Sequence, residues 1–202
     1  MDFILIISHG ADRIPPRFMK HPIKSRGFTL IELLVVISVI GLLASVILIS
    51  LNSARIKARI AFRVATMKQI ATALELYYDN NNGYPVVPTP WRTECSGPVW
   101  AQTVSADQVI PGLVPNYIAK FPSDPSMDAP NALSCFLYYS DGINYKFMDH
   151  VMIEMSQANY LSHPELIDPL RDGGPTVGNC VGSGDGTSIW AWSVYTTGAQ
   201  CW

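Results

Sequence analysis

Lys24-Ser25-Arg26-Gly27-Phe28-Thr29-Leu30-Ile31-Glu32 is the stretch on which the fold turns. Two cations within three residues, Lys24 and Arg26, give way at one glycine to an apolar run. That run continues from Phe28 to Leu51, 24 residues whose single charge is Glu32. A helix of that length rises about 36 Å, enough for the ~30 Å hydrocarbon core of a bilayer. A buried core helix normally keeps a polar stripe; here only Thr29, Ser38, Ser45 and Ser50 accompany Glu32. The block therefore reads as a membrane span, and a carboxylate inside such a span is functional by default.

Charge is distributed along the chain in the same order. Of 14 basic and 16 acidic residues, residues 1–27 hold five basic and two acidic ones, and from Asn80 onward there are four basic and eleven acidic. Between them, Arg55, Lys57, Arg59, Arg63 and Lys68 follow the apolar block. Cations flank both ends of the span, so loop charge alone does not orient it. The overall charge of −2 gives no bulk argument for nucleic-acid binding. Arg55, Lys57, Arg59 and Arg63 read as a solvated or headgroup-facing basic face rather than a phosphate grip. Charged residues make up only 15 % of the chain, against ~25 % in typical soluble domains.

Beyond the span the helical period continues. Ile56, Ile60, Val64, Met67, Ala71, Leu74 and Tyr78 recur at steps of three and four, predicting an amphipathic continuation. With no proline from Phe28 to Tyr84, one helix over about Phe28–Tyr78 would run near 75 Å. Asp79-Asn80-Asn81-Asn82-Gly83-Tyr84-Pro85 then stops it by turn chemistry. A loop is expected around Pro85, Pro88, Pro90 and Pro98. Asp141-Gly142 lies between the aromatic runs Cys135–Ser140 and Ile143–Met148, a strong hairpin signal. Thr187–Thr196 reads as a further strand, and Leu166–Gly186 as a long surface loop. The fold class is α+β: a long N-terminal helix, membrane-spanning then amphipathic, packed against a C-terminal antiparallel sheet. The expected divisions are 1–27, 28–51, 52–80 and 81–202.

The basic patch, the glycine and the apolar run with Glu at its fifth position resemble the processing signal of type IV pilins and type II secretion pseudopilins. In that family a membrane peptidase cuts after the glycine on the cytoplasmic side and methylates the new N-terminus. The resemblance implies cleavage between Gly27 and Phe28, methylation of Phe28, and Glu32 as the residue that sets assembly register. It implies a prepilin peptidase, an inner-membrane assembly platform, the lipid bilayer and further subunits as partners. It places the N-terminus inside, the head outside, and then the subunit in a pilus or pseudopilus. Glycine suits the cut because it presents an accessible, flexible backbone. The freed amine can be matched by Glu32 of a neighbouring copy, and a charge left unpaired among apolar helices is costly. The leader of 27 residues is long for this family; Met19 offers a second start, giving Met-Lys-His-Pro-Ile-Lys-Ser-Arg-Gly, and that shorter leader is the one expected, with a long leader from Met1 as the alternative.

Cys95, Cys135, Cys180 and Cys201 all follow the span. The resemblance puts them outside the inner membrane, where disulfides persist. Of three possible connectivities, the family habit of closing a C-terminal loop favours Cys180–Cys201, leaving Cys95–Cys135. His150 and His163, the histidines beyond the leader, have no metal-ligand spacing and read as solvated or capping. Asp172 and Asp185 make a thin case for calcium, and a plain turn is the better reading there. Trp91, Trp100, Trp190, Trp192 and Trp202 are divided between core and surface. No catalytic constellation is present, so the chain reads as the substrate of an enzyme. The different-class alternative is a single-span anchored binding domain that never polymerises, for which Glu32 would have no use.

Overall fold

The computed structural model describes residues 27–96, 98, 100–127, 134–150, 156–172, 180 and 190–202. It divides into two compact units, residues 1–46 and 47–202. The first helix, α1, spans Leu30–Asn81. In the N-terminal unit its large apolar side chains are exposed, from Leu30 to Val46. It is, among the described residues, the one helix long and apolar enough to cross a membrane.

In the second unit α1 meets a six-stranded sheet. The strands are β1 (Val87–Thr93), β2 (Gln102–Thr103), β3 (Cys135–Ser140), β4 (Tyr145–His150), β5 (Ile167–Asp172) and β6 (Trp190–Tyr195). A short helix, α2 (Gln157–Leu161), precedes β5. The sheet order is β2-β1-β3-β4-β6-β5. All pairings are antiparallel except β1 with β2, so the expected antiparallel sheet carries one short parallel edge.

Several elements differ from expectation for stated physical reasons. Pro88 and Pro90 lie within β1, not in a loop. They fit because the β1–β3 register shifts between Val87 and Arg92, and β2 pairs only at Arg92 and Thr93. A strand with a bulge and an unpaired flank tolerates residues that cannot donate. Likewise β5 occupies the start of the supposed 166–186 loop, with Pro169 on an edge strand. The β3–β4 turn is four residues long, so β4 starts at Tyr145 and not at Ile143. Asp141 makes that turn, accepting from Ile143 N and Asn144 N at 2.8 and 2.7 Å, while Gly142 takes a φ of +95°. The helix runs on to Asn81 and ends at Asn82, in the left-handed region at φ 54°. Asparagine tolerates that conformation better than most residues.

The main core lies between α1 and one face of the sheet. Ile60, Met67, Ile70 and Leu74 pack with Phe136, Tyr138, Tyr145, Phe147 and Trp192. Val109, Ile110, Leu113, Ile118 and Phe121 of the β2–β3 connection close its side. The buried stripe of α1 is therefore centred on Ile60, Arg63, Met67, Ile70, Leu74 and Tyr77. Tyr78, expected on it, is 38 % exposed. A smaller cluster on the other face joins Cys95, Cys135, Leu137, Met148 and Ala191.

Candidate assembly site

At the start of α1, Thr29 and Glu32 engage each other. Thr29 O accepts from Leu33 N at 3.3 Å, the first bond of the helix. The Thr29 N–H and hydroxyl both donate to Glu32 Oε2, at 2.8 and 2.6 Å, and Glu32 N donates back to Thr29 Oγ1 at 3.3 Å. This is a capping box, in which Thr at the cap and Glu three residues on satisfy helix-end donors reciprocally. The Thr-x-x-Glu spacing was present in the sequence as a signal for it. Gly27 and Phe28 precede this box as exposed, non-helical residues, Phe28 at 76 % exposure. A Cβ placed on Gly27 would meet nothing within 4 Å. The leader residues 1–26, Met19 included, lie outside the described residues.

The basic face read after the span is not uniform. Arg55 and Lys57 are exposed, but Arg63 is fully buried. That corrects its reading as a solvated cation. Its Nε donates to Asp124 Oδ2 at 2.7 Å, and one terminal nitrogen donates to Asp124 Oδ1 at 3.0 Å and Ser126 Oγ at 2.8 Å. Asp149 Oδ2 of β4 lies 3.1 Å from the same Nε. One guanidinium thus joins α1, the 113–127 loop and the sheet. Burial works against the charge of Asp124, yet the Arg63 hydrogen bonds and charge hold its carboxyl below the usual range. Burial raises Asp149 well above that range, and the neighbouring Asp124 charge adds to the rise. Glu94 is also affected: burial pushes it up to about 7. The sequence signal missed here was the position of Arg63 itself, three residues after Ile60 and four before Met67 on the stripe that faces the core.

A second buried pair joins Lys146 and Asp168, Nζ to Oδ2 2.6 Å, with Lys146 also donating to the main-chain oxygens of Gln200 and Trp202. Burial lowers the Lys146 pKa against the pull of Asp168. Cys95 is bonded to Cys135 and Cys180 to Cys201, with Cα–Cα distances of 6.1 and 5.1 Å. His150 is not solvated, as expected from sequence, but 6 % exposed with its ring 5.3 Å from that of Trp100. His163 lies 3.2 Å from Glu165. Trp192 is core, whereas Trp91 and Trp202 each meet the Tyr139 ring, tilted at 5.6 Å and edge-on at 4.8 Å between centroids. Among the described residues no group of three His, Cys, Asp or Glu side chains is placed to hold a metal. The calcium reading falls on Asp185 and the side chain of Asp172, which lie outside the described residues.

An exposed apolar helix, opened by the Thr29–Glu32 capping box and continuing into an α+β head, is the architecture of a pilin-like structural subunit. The comparisons agree. A family model described as the prokaryotic N-terminal methylation motif matches residues 23–48. The type II secretion system core protein G of Escherichia coli (strain K12) is 32 % identical over 107 residues, covering 50 % of this chain and 67 % of that protein. The protein of the same name from Pectobacterium carotovorum is 39 % identical over 62 residues, 31 % of this chain and 40 % of its own. The type IV wide pilus major component PilA4 of Thermus thermophilus is 40 % identical over 60 residues, 30 % and 46 % of the two chains. No solved structure matches. The chain belongs to the type IV pilin and type II secretion pseudopilin family.

Proposed function

We propose that the chain is a prepilin-like subunit, cut between Gly27 and Phe28, methylated on the Phe28 amine, and polymerised through α1 into a type IV pilus or a type II secretion pseudopilus. Before assembly it is held by α1 in the inner membrane, N-terminus inside and head outside. The prepilin peptidase and the inner-membrane assembly platform act on it there, and other subunits join it in the filament. One observation carries this reading: Glu32 stands five residues past Gly27 at the head of a helix whose large side chains are exposed all round from Leu30 to Val46. In lipid or among neighbouring helices those side chains are covered, and the sole carboxylate is the charge able to select one register. The capping box favours the alternative, an anchored domain that does not polymerise, because it gives Glu32 a task within its own chain.

Intact-mass spectrometry of the membrane-extracted protein tests the processing step. A chain beginning at Phe28 with one added methyl group is the expected species. A mature chain that retains Arg26 overturns it.

A further inference from the structure

The C-terminal half of α1 carries a groove and a knob on different faces. The groove, about 550 Å³, has a floor of Ile60 and Val64, lysines 57 and 68 along α1, and Ser162 and His163 on the opposite wall. Glu165 pairs with His163 at 3.2 Å on that wall and also feels the charge of Lys68. The lysines lie eleven residues apart, bracketing about 16 Å of helix. The knob is Phe62, 43 % exposed in the same stretch of helix. At 100° per residue it stands roughly 120–140° round α1 from Lys68 and Lys57.

We infer that Phe62 of one copy seats in the Lys57–Lys68 groove of a second copy; this rests on the reading of the chain as a polymerising subunit. An apolar floor with ammonium groups beside it suits an aromatic ring. The floor covers the ring edge, the lysine stems lie along it, and the ammonium groups face its negative π surface. The chain itself supplies such a ring at the same level of the helix. Because knob and groove occupy different faces, each copy can give its knob to one neighbour and its groove to another. Such a contact is heterologous and propagates from copy to copy instead of closing on a pair.

Cysteine cross-linking in membranes of cells making the full chain tests the contact. Chains carrying both Ala58→Cys, one turn from Phe62 on the same exposed face of α1, and Ser162→Cys are expected to form a disulfide-linked ladder on mild oxidation, with the Phe62 ring kept in place. Either single substitution should stay monomeric, and the native cysteines are already bonded to each other. Adding Lys57→Glu and Lys68→Glu should reduce the ladder at least several-fold. In a non-cysteine background, Phe62→Trp should keep wild-type filament yield and Phe62→Leu should lower it. Absence of the ladder at normal membrane levels overturns the inference, as does equal cross-linking by a single variant. Filament yield from the same cells separates the two readings. A ladder without filaments leaves the contact standing and removes the polymerisation proposal, whereas filaments without a ladder do the reverse.

Discussion

Thr29 and Glu32 close on each other at the first turn of α1, with both the Thr29 N–H and hydroxyl directed at one carboxylate oxygen, 2.8 and 2.6 Å away. Glu32 therefore has two separable properties. It caps the helix, which needs only an acceptor of the right length, and it carries a charge, which the assembly reading requires.

Substitution separates them. Glu32→Gln keeps the acceptor, and glutamine serves in capping boxes. Glu32→Ala loses both properties, at about 1 kcal/mol of helix-start stability. Both variants should insert into the membrane at least as well as wild type, because a charge leaves the apolar block. Both should yield few or irregular filaments, since an unmatched Phe28 amine among apolar helices costs several kcal/mol. Glu32→Asp should fall between, its carboxylate reaching less far. The measurement is sheared filament per cell beside subunit in the membrane. Normal yield from Glu32→Gln would show that capping was the requirement and would remove the charge argument.

Arg63 ties α1 to the 113–127 loop and to β4 through buried polar contacts. Arg63→Ala leaves Asp124 and Asp149 buried without their cation, a defect of about 3–5 kcal/mol. Arg63→Lys should recover little, because a point charge cannot reproduce the fork on Asp124 and Ser126. Replacing the set together, as Arg63→Met with Asp124→Leu and Asp149→Leu, should lie much closer to wild type than Arg63→Ala does. Urea unfolding of the detergent-solubilised chain, followed by tryptophan fluorescence, gives the ranking. A triple variant less stable than Arg63→Ala would show that the ion cluster is a net stabiliser of the fold.

The two disulfides should differ in worth. Cys95–Cys135 closes 40 residues and Cys180–Cys201 closes 21. In the chain-entropy account these correspond to about 4 and about 3 kcal/mol respectively. Cys95 and Cys135 also lie within the apolar cluster with Leu137, Met148 and Ala191, so alanine is the fitting replacement there. Urea midpoints of the two double-alanine variants test the order. A larger loss from Cys180 and Cys201 would mean that closing the shorter loop holds more than its entropy.

What could be read from the chain alone follows from how local each signal is. The apolar block, the glycine before it and the carboxylate within it are contiguous, so class and membrane span were legible. The strong period of residues 56–74 placed the head on α1. The stripe was misjudged by a fraction of a turn because an arginine occupies its centre, and apolar counting cannot find a buried cation. Asp124 and Asp149 lie 61 and 86 positions from Arg63, and their meeting is a property of tertiary structure. Pro88, Pro90 and Pro169 argued against strands that a bulge and a sheet edge allow. The capping box was legible at Thr29 and Glu32 but was overshadowed by the charge of the same residue.

The last expectation concerns pH. Glu94 is partly buried, and burial together with the Asp124 charge outweighs the hydrogen bonding from Ser123, moving its carboxyl from 4.5 to about 7. Between those values the folded chain holds a proton that the unfolded chain has lost. The associated stability is full below about 4.5 and is lost as pH rises through about 7. Asp149, raised by burial, adds to stability loss of the same sign as pH rises. Asp124 opposes this at the acid end: its lowered carboxyl contributes above its unfolded value of 3.8 and loses that contribution as pH falls. The head should therefore be most stable in mildly acidic buffer and weaken toward pH 8. For Glu94 the loss is on the order of 1–2 kcal/mol once the solvent reaching the carboxyl is allowed for. That is about 3–6 °C in Tm for a unit of this size. Glu94→Gln should flatten the slope between pH 5 and 8 while leaving in place the acid limb, to which Asp124 and the other lowered carboxyls contribute. Calorimetry of both chains at half-unit pH steps decides the matter. A wild-type Tm that is level or rising over that interval, or a slope unchanged in Glu94→Gln, would refute the assignment of the alkaline limb to Glu94.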